Sequence, residues 1–78
     1  MRLLLIEDDT MLGRAVLTAL KMEGYAVDWM STAQTALHCL ETEDYDLVVL
    51  DLGLPDLDGK QVLEIVRRRG NTTPFIVV

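Results

Sequence analysis

Cysteine is almost absent from this sequence. Cys39 is the only cysteine among 78 residues, so no disulfide framework and no paired-thiol metal site can form within the chain. It lies in an apolar helical pattern, which predicts that its thiol is packed against other side chains. Because a lack of disulfides is typical of reducing compartments, we expect a cytoplasmic protein.

Basic residues are also scarce. Seven Lys and Arg stand against thirteen Asp and Glu, which gives a net charge of −6. Nucleic-acid-binding surfaces are normally basic, so we expect no nucleic-acid contact by this chain. The one basic run, RRR at 67–69, is typical of a helix end, where cations complement the helix dipole.

Long apolar runs are missing too. A membrane-spanning helix needs about 20 apolar residues, and no stretch approaches that length. The opening MRLLLIEDD has an apolar run of only four residues, at 3–6, followed by acids, which is unlike a signal peptide. We therefore expect no membrane contact. Half of the residues are hydrophobic and 26% are charged, a composition typical of one small globular domain.

Short apolar runs alternate with helical patterns along the chain. Strands are predicted at 3–6, 25–30, 46–51 and 75–78, with helices between them. The first and third runs are apolar throughout, which predicts central strands, whereas the second alternates as an edge strand does. The order βαβαβαβ predicts a parallel sheet with right-handed crossovers.

The sequence also contains residues typical of helix ends and of the packing face of a helix. Asp8 or Asp9 can cap the first helix and Gly24 can end it, while Ser31 with Gln34 fits a capping box for the second. The apolar residues of the first helix that recur at helical spacing are Leu12, Ala15, Val16, Ala19 and Leu20.

Acidic residues follow both predicted central strands. Glu7, Asp8 and Asp9 come after the first strand, and Asp51 ends the third. Sites in open parallel sheets form beyond the carboxyl ends of the strands, so these side chains converge if the two strands are neighbours. Carboxylates that lie so close raise one another's pKa and require a cation. With oxygen ligands and no nearby thiol or imidazole, Mg²⁺ is favoured over Ca²⁺ or Zn²⁺.

The stretch DLGLPDLDG begins at Asp51. A carboxylate beside Mg²⁺ can act as a nucleophile and form an aspartyl phosphate, which makes Asp51 the candidate phospho-acceptor. Gly53 lets the backbone approach a ligand, and Pro55 stiffens the turn. Asp56 and Asp58 lie further along the loop, and we interpret them as turn and helix-cap residues.

Two rival motifs share parts of this stretch. A calcium loop aligned on DLDG would place Leu54 and Ile65 at ligand positions, where neither can bind, so we exclude it. A phosphatase of the haloacid dehalogenase type has a second Asp two residues after its nucleophile, where this chain has Gly53. A strand-end Asp can also be only a turn or cap residue, but a second acid cluster on another strand favours a functional site.

These residues resemble the receiver domain of bacterial two-component response regulators of the OmpR/PhoB type. The matching pieces are LLLIEDD, DLVVLDLGLP and DLDGKQVLEIVR, and the pattern D-x-x-L-P-x-x-x-G falls on Asp51, Leu54, Pro55 and Gly59. The resemblance covers residues 1–78. It implies an α/β, flavodoxin-like, doubly wound parallel sheet with strand order 2-1-3-4-5, and that order is a property of the family.

The resemblance also implies a site and a partner. A sensor histidine kinase would transfer a phosphoryl group to Asp51 in the presence of Mg²⁺. The metal ligands would be Asp8, Asp51 and the backbone carbonyl of Gly53, with Glu7 acting partly through water. Asp9 would then be the helix cap.

The chain ends at Val78, before several parts that the family implies. These parts are a Thr or Ser after the fourth strand, a Lys after the fifth, the last two helices and a winged-helix DNA-binding domain. We therefore expect an incomplete sheet, a partial receiver domain at 1–78, impaired phosphoryl transfer and no phosphorylation-dependent DNA binding by this fragment. The strand at 75–78 would become an exposed apolar edge, which predicts a homodimer or a domain-swapped oligomer.

Three functions are thus compared. The first is a phospho-acceptor signalling module that is not an enzyme and that, in a full-length parent, controls transcription. The second is a Mg²⁺-dependent phosphatase-like enzyme, which would need a second catalytic carboxylate near Asp51. The third is a structural fragment that self-associates and whose site is idle.

Overall fold

A computed structural model describes residues 1–51 and 53–78. In these residues strands and helices alternate as the sequence predicts, with element ends that differ by a few residues. The strands are β1 (Arg2–Ile6), β2 (Ala26–Met30), β3 (Leu47–Leu50) and β4 (Phe75–Val77). The helices are α1 (Thr10–Met22), α2 (Ala33–Thr42) and α3 (Gly59–Arg68).

The four strands form one parallel sheet in the order β2-β1-β3-β4. The prediction that β1 and β3 are central neighbours and that β2 is an edge is confirmed. Within this register Ile6 is level with Leu50, and Leu50 is level with Val77. The arrangement agrees with the flavodoxin-like strand order, and it brings the carboxyl ends of the two central strands together.

The main core lies between the sheet and the helices α2 and α3. Its largest fully buried members include Leu4, Ile6, Val48, Leu50 and Val62. Burying each such side chain contributes about 1.5–3 kcal/mol, so this layer holds the central strands in place. Cys39 packs against the same core, as its sequence context predicts.

Helix α1 covers the opposite face of the sheet. Leu5, Trp29 and Val49 are level across three neighbouring strands, so their side chains share that face. Gly13 of α1 approaches Trp29 so closely that a Cβ at position 13 would lie 2.3 Å from Cζ2 of the indole. The missing side chain of Gly13 therefore makes the room that the Trp29 ring occupies.

The predicted apolar stripe of α1 is only partly its packing face. Three of its five members are exposed, namely Leu12, Ala15 and Ala19. Gly13 is buried instead, and Leu17 is half-buried beside the expected Val16 and Leu20. The helix is thus rotated from the predicted orientation, and Gly13 faces the sheet beside the Trp29 ring.

The helix caps differ from prediction at one position. Asp9 caps α1 as expected, since its side chain accepts a hydrogen bond of 3.0 Å from the Leu12 N–H, and Gly24 follows the helix with φ +94°. The capping box predicted at Ser31 is wrong, because the N-cap of α2 is Thr32. Its hydroxyl accepts from the Thr35 N–H at 3.3 Å.

The edge strand β4 is exposed. Ile76, Val77 and Val78 keep 50%, 43% and 70% of their surface in solvent, and β4 is the last strand of the sheet. In the described part of the chain, none of the helices is long and apolar enough to cross a membrane.

Candidate functional site

The sheet register brings the two acidic strand ends together. Ile6 and Leu50 are paired, so the next residues, Glu7 and Asp51, leave the sheet side by side. The Asp51 N–H donates to the carbonyl of Ile6 at 3.0 Å, and the Glu7 N–H donates to the carbonyl of Met30 at 3.1 Å. Both acidic residues therefore begin from backbone that the sheet still holds.

Three carboxylates meet at this edge of the sheet. One oxygen from each of Glu7, Asp8 and Asp51 lies within 4.8 Å of the other two. Glu7 is only 5% exposed, whereas Asp51 is half-buried and Asp8 is exposed. The group thus runs from the interior to the solvent, which gives a ligand an open approach.

Burial and the neighbouring carboxylates change the proton affinity of Glu7. Burial raises the pKa of the Glu7 carboxyl to about 7, and a hydrogen bond with the Asp51 side chain and the nearby negative charges of Asp51 and Asp8 act in the same direction. Between pH 4.5 and about 7, Glu7 holds a proton that an ordinary glutamate would have lost. The metal-free site therefore favours a bound proton, or another cation in its place.

The donor set fits a hard divalent cation. All three ligand atoms are carboxylate oxygens, which Mg²⁺ and Ca²⁺ prefer. One oxygen of each side chain lies within 4.8 Å of the other two, so the three side chains could hold one ion after small movements.

Gly53 lies next to Asp51, but its predicted role as a ligand remains a prediction. Its N–H donates to Oδ1 of Asp51 at 3.2 Å, which limits rotation of that carboxylate. A Cβ at position 53 would lie 3.8 Å from both Asp51 oxygens, an ordinary contact. The Asp51 carboxylate therefore leaves room for a side chain at position 53. The close approach predicted for the Gly53 backbone is to a bound ligand, and it remains a prediction.

The loop after Asp51 is fastened at three points. Leu54 is 9% exposed and belongs to the main core. Asp58 caps α3, accepting from the Lys60 N–H at 3.0 Å, and Gln61 completes a capping box. Asp56 precedes α3 but does not cap it, because its carboxylate accepts hydrogen bonds from N–H groups at the start of α2.

Two contacts of this site were missed by sequence reasoning. The Asp56 carboxylate accepts hydrogen bonds from Ala33 at 2.9 Å and Gln34 at 3.0 Å, and these bonds lower the pKa of Asp56. The indole N–H of Trp29 donates to the backbone carbonyl of Glu7 at 2.9 Å. Each contact spans more than 20 residues of sequence, so no local pattern could have indicated its partner.

A parallel α/β sheet with carboxylates beyond its two central strands defines a class of protein, the doubly wound α/β proteins that bind ligands in that crevice. Within this class the particular family is also established. The family model for the response regulator receiver domain matches residues 3–78, and the chain belongs to that family.

Curated relatives are transcriptional regulators. The chain is 45% identical to the transcriptional regulatory protein BasR of Escherichia coli over 78 residues, which is 100% of this chain and 35% of BasR. It is 40% identical to the response regulator protein PmrA of Pseudomonas aeruginosa, again over 100% of this chain and 35% of that protein. The chain thus spans about a third of the length of these relatives.

Solved receiver structures have the same fold. The receiver domain of the Francisella response regulator 1452 superposes with a TM-score of 0.94 at 29% identity, covering 97% of this chain and 63% of that chain. The MaeR response regulator bound to beryllium trifluoride superposes with a TM-score of 0.91 at 28% identity, covering 99% and 65%.

Proposed function

We propose that this chain is a phospho-acceptor module that receives a phosphoryl group from a sensor histidine kinase on Asp51. The observation that carries the proposal is the convergence of Glu7, Asp8 and Asp51 beyond the central strands. The three carboxylates, with the backbone carbonyl of Gly53, would hold Mg²⁺. Membership of the receiver family supports both the metal and the kinase partner.

The chemistry assigns a role to each residue. A carboxylate oxygen of Asp51 forms a bond to phosphorus while the bond from phosphorus to the kinase histidine nitrogen breaks and leaves its electron pair on the imidazole. The Gly53 N–H restrains the attacking carboxylate through Oδ1. Glu7 and Asp8 bind the metal, and Mg²⁺, when bound, offsets negative charge on the transferring group.

Self-association belongs to the same proposal. Strand β4 presents its free edge and the exposed side chains of Ile76, Val77 and Val78, and an apolar edge is a template for pairing with another chain. We propose a homodimer or a domain-swapped oligomer in which β4 is covered. A chain that assembles but cannot be phosphorylated would be the structural fragment considered above.

The relatives support a proposal for the role of the whole protein. BasR and PmrA are named as a transcriptional regulatory protein and a response regulator, and the chain spans about a third of each. We propose that a full-length parent controls transcription in the bacterial cytoplasm through a DNA-binding domain outside these residues. The net charge of −6 supports the proposal that residues 1–78 do not themselves contact DNA.

Acetyl phosphate tests the phospho-acceptor proposal without a kinase. The chain and its Asp51→Asn variant are incubated with acetyl phosphate and Mg²⁺, and intact mass is measured over time. We expect a phosphoryl adduct on the wild-type chain that is absent from the variant and absent when EDTA replaces Mg²⁺. A folded chain that gains no adduct would favour the structural alternative.

A further inference from the structure

Trp29 contacts the candidate metal site through the backbone. Its indole Nε1–H donates to the carbonyl oxygen of Glu7 at 2.9 Å in a partly buried contact. An indole can donate but cannot accept a hydrogen bond, so this bond is the one polar contact that the ring can make through its nitrogen. Trp29 belongs to β2 and lies level with Leu5 of β1, two residues before Glu7.

Gly13 of α1 lies against the Trp29 ring. A Cβ at this position would lie 2.3, 2.5 and 2.9 Å from three atoms of the Trp29 indole, distances at which the ring would have to move. Gly13 is itself buried, and its N–H donates to the carbonyl of Asp9 at 2.8 Å. The ring is therefore held between α1 and the carbonyl that it binds.

The bonds to Glu7 orient more than one residue. The carbonyl of Glu7 and the nitrogen of Asp8 belong to one planar peptide group. Fixing the carbonyl therefore also fixes the direction of the backbone at Asp8. The Glu7 N–H is bound to Met30 at 3.1 Å, and Asp9 is bound to α1 as its N-cap. Hydrogen bonds thus hold both ends of the segment 7–9, and the exposed Asp8 lies between them.

We propose that Trp29 is a positioning residue for the Mg²⁺ site and that it acts through the Glu7 carbonyl. Gly13 leaves the space that the Trp29 ring occupies. The inference rests on the proposed function, because it concerns the same carboxylates. Removing a hydrogen-bond partner of a metal-ligating side chain typically costs about 10- to 100-fold in metal affinity, and for a bond to the backbone of such a residue we expect the lower end of that range. Trp29 does not bind the ion, so its loss weakens the site without removing a ligand.

Two replacements of Trp29 test the role of the donor. Trp29→Phe removes the indole N–H and part of the ring, whereas benzothienylalanine keeps the bicyclic shape and replaces the N–H with sulfur. A chain of 78 residues is short enough to be made by chemical ligation with this residue. Mg²⁺ affinity is measured by calorimetry, and the midpoint of thermal unfolding is measured without metal. Tyr25→Phe, an aromatic change just before β2, is the matched control.

We expect about a tenfold loss of Mg²⁺ affinity in both Trp29 variants, and affinity equal to wild type in Tyr25→Phe. The benzothienylalanine chain should unfold near the wild-type temperature, which separates positioning from general stability. A benzothienylalanine chain that binds Mg²⁺ as tightly as wild type would overturn the inference and leave the proposed function standing. A wild-type chain that binds no Mg²⁺ would overturn both.

Gly13→Ala gives a second, independent test. The added methyl group should displace the ring and weaken Mg²⁺ binding even though neither Trp29 nor Glu7 is changed. Because the smaller ring of Trp29→Phe relieves that clash, the two substitutions together should cost less affinity than the sum of their separate effects. Strict additivity of the two losses would contradict a shared mechanism.

Discussion

The carboxylate of Asp56 accepts a hydrogen bond of 2.9 Å from the backbone N–H of Ala33, 23 residues earlier in the chain. A second bond of 3.0 Å comes from Gln34. Together with the Thr32 hydroxyl, which takes the N–H of Thr35, Asp56 satisfies the donors of the first turn of α2. Asp56 thereby ties the loop before α3 to the start of α2.

Removal of this cap should destabilise the chain. Asp56→Ala leaves two donors at the start of α2 without their acceptor, and we expect a lower free energy of unfolding, as for the loss of other helix caps. Asp56→Asn keeps one acceptor oxygen and should lose less. Urea denaturation followed by circular dichroism measures both. Equal stability of the alanine variant and the wild type would show that the contact is weak in solution.

The hydrogen bond between Tyr45 and Asp28 should make stability depend on pH. The Tyr45 hydroxyl donates to Oδ2 of Asp28 at 2.7 Å, and Arg2 donates to the same oxygen at 2.8 Å. These bonds lower the pKa of Asp28, with Tyr45 as the larger cause and burial opposing them. A carboxyl whose pKa is lowered on folding stabilises the chain above its unfolded pKa of about 3.9, and this stabilisation is lost as pH falls.

Tyr45→Phe tests that account. At pH 7 we expect it to lower the free energy of unfolding by about 0.5–1.5 kcal/mol, the usual net value of one hydrogen bond. The difference from wild type should shrink at pH 3, because this pH lies below the unfolded pKa of Asp28 and the stabilisation is lost as pH falls further. Tyr25→Phe removes a hydroxyl from a tyrosine that is 37% exposed and serves as the control. A Tyr45→Phe deficit that is the same at both values of pH would contradict the assignment.

Glu7 should couple Mg²⁺ binding to pH in the opposite sense. Burial and the adjoining carboxylates raise its pKa from 4.5 to about 7, so between these values the metal-free folded chain binds more protons than the unfolded chain. Its stability therefore falls as pH rises through this window. Because the ion competes with that proton, Mg²⁺ affinity should rise about tenfold from pH 6 to pH 8.

Calorimetric titrations at the two values of pH measure this coupling. Glu7→Gln cannot lose a proton in this range, so its Mg²⁺ affinity should be weaker than that of the wild type and nearly independent of pH. A wild-type affinity that does not change between pH 6 and pH 8 would mean that the Glu7 carboxyl takes no part in binding.

A charge on β4 should reduce self-association. Ile76 is half-exposed on the edge strand, and Ile76→Lys places a charge that must be desolvated when two chains pair. Light scattering at micromolar concentration should give a lower average mass for this variant than for wild type. Thr72→Lys adds the same charge at an exposed position before β4 and should leave the mass unchanged. A wild-type chain that is strictly monomeric would refute the self-association proposal itself.

Much of this architecture could be predicted because it depends on local patterns. Continuous apolar runs marked β1 and β3 as central strands, and the acids that end them therefore had to meet. The rotation of α1 could not be predicted, because it depends on the contact between Gly13 and Trp29, which belong to different elements. The partner of Asp56 was equally hidden, since a carboxylate in a loop can cap any helix that the fold brings near it.

The most direct test of the account is to map the phosphorylated residue. After incubation with acetyl phosphate and Mg²⁺, borohydride reduces an aspartyl phosphate to homoserine, and peptide sequencing by mass spectrometry locates the change. We expect homoserine at position 51 and unmodified residues at positions 7 and 8. Modification at either of those positions instead would contradict the division of the cluster into one acceptor and two metal ligands.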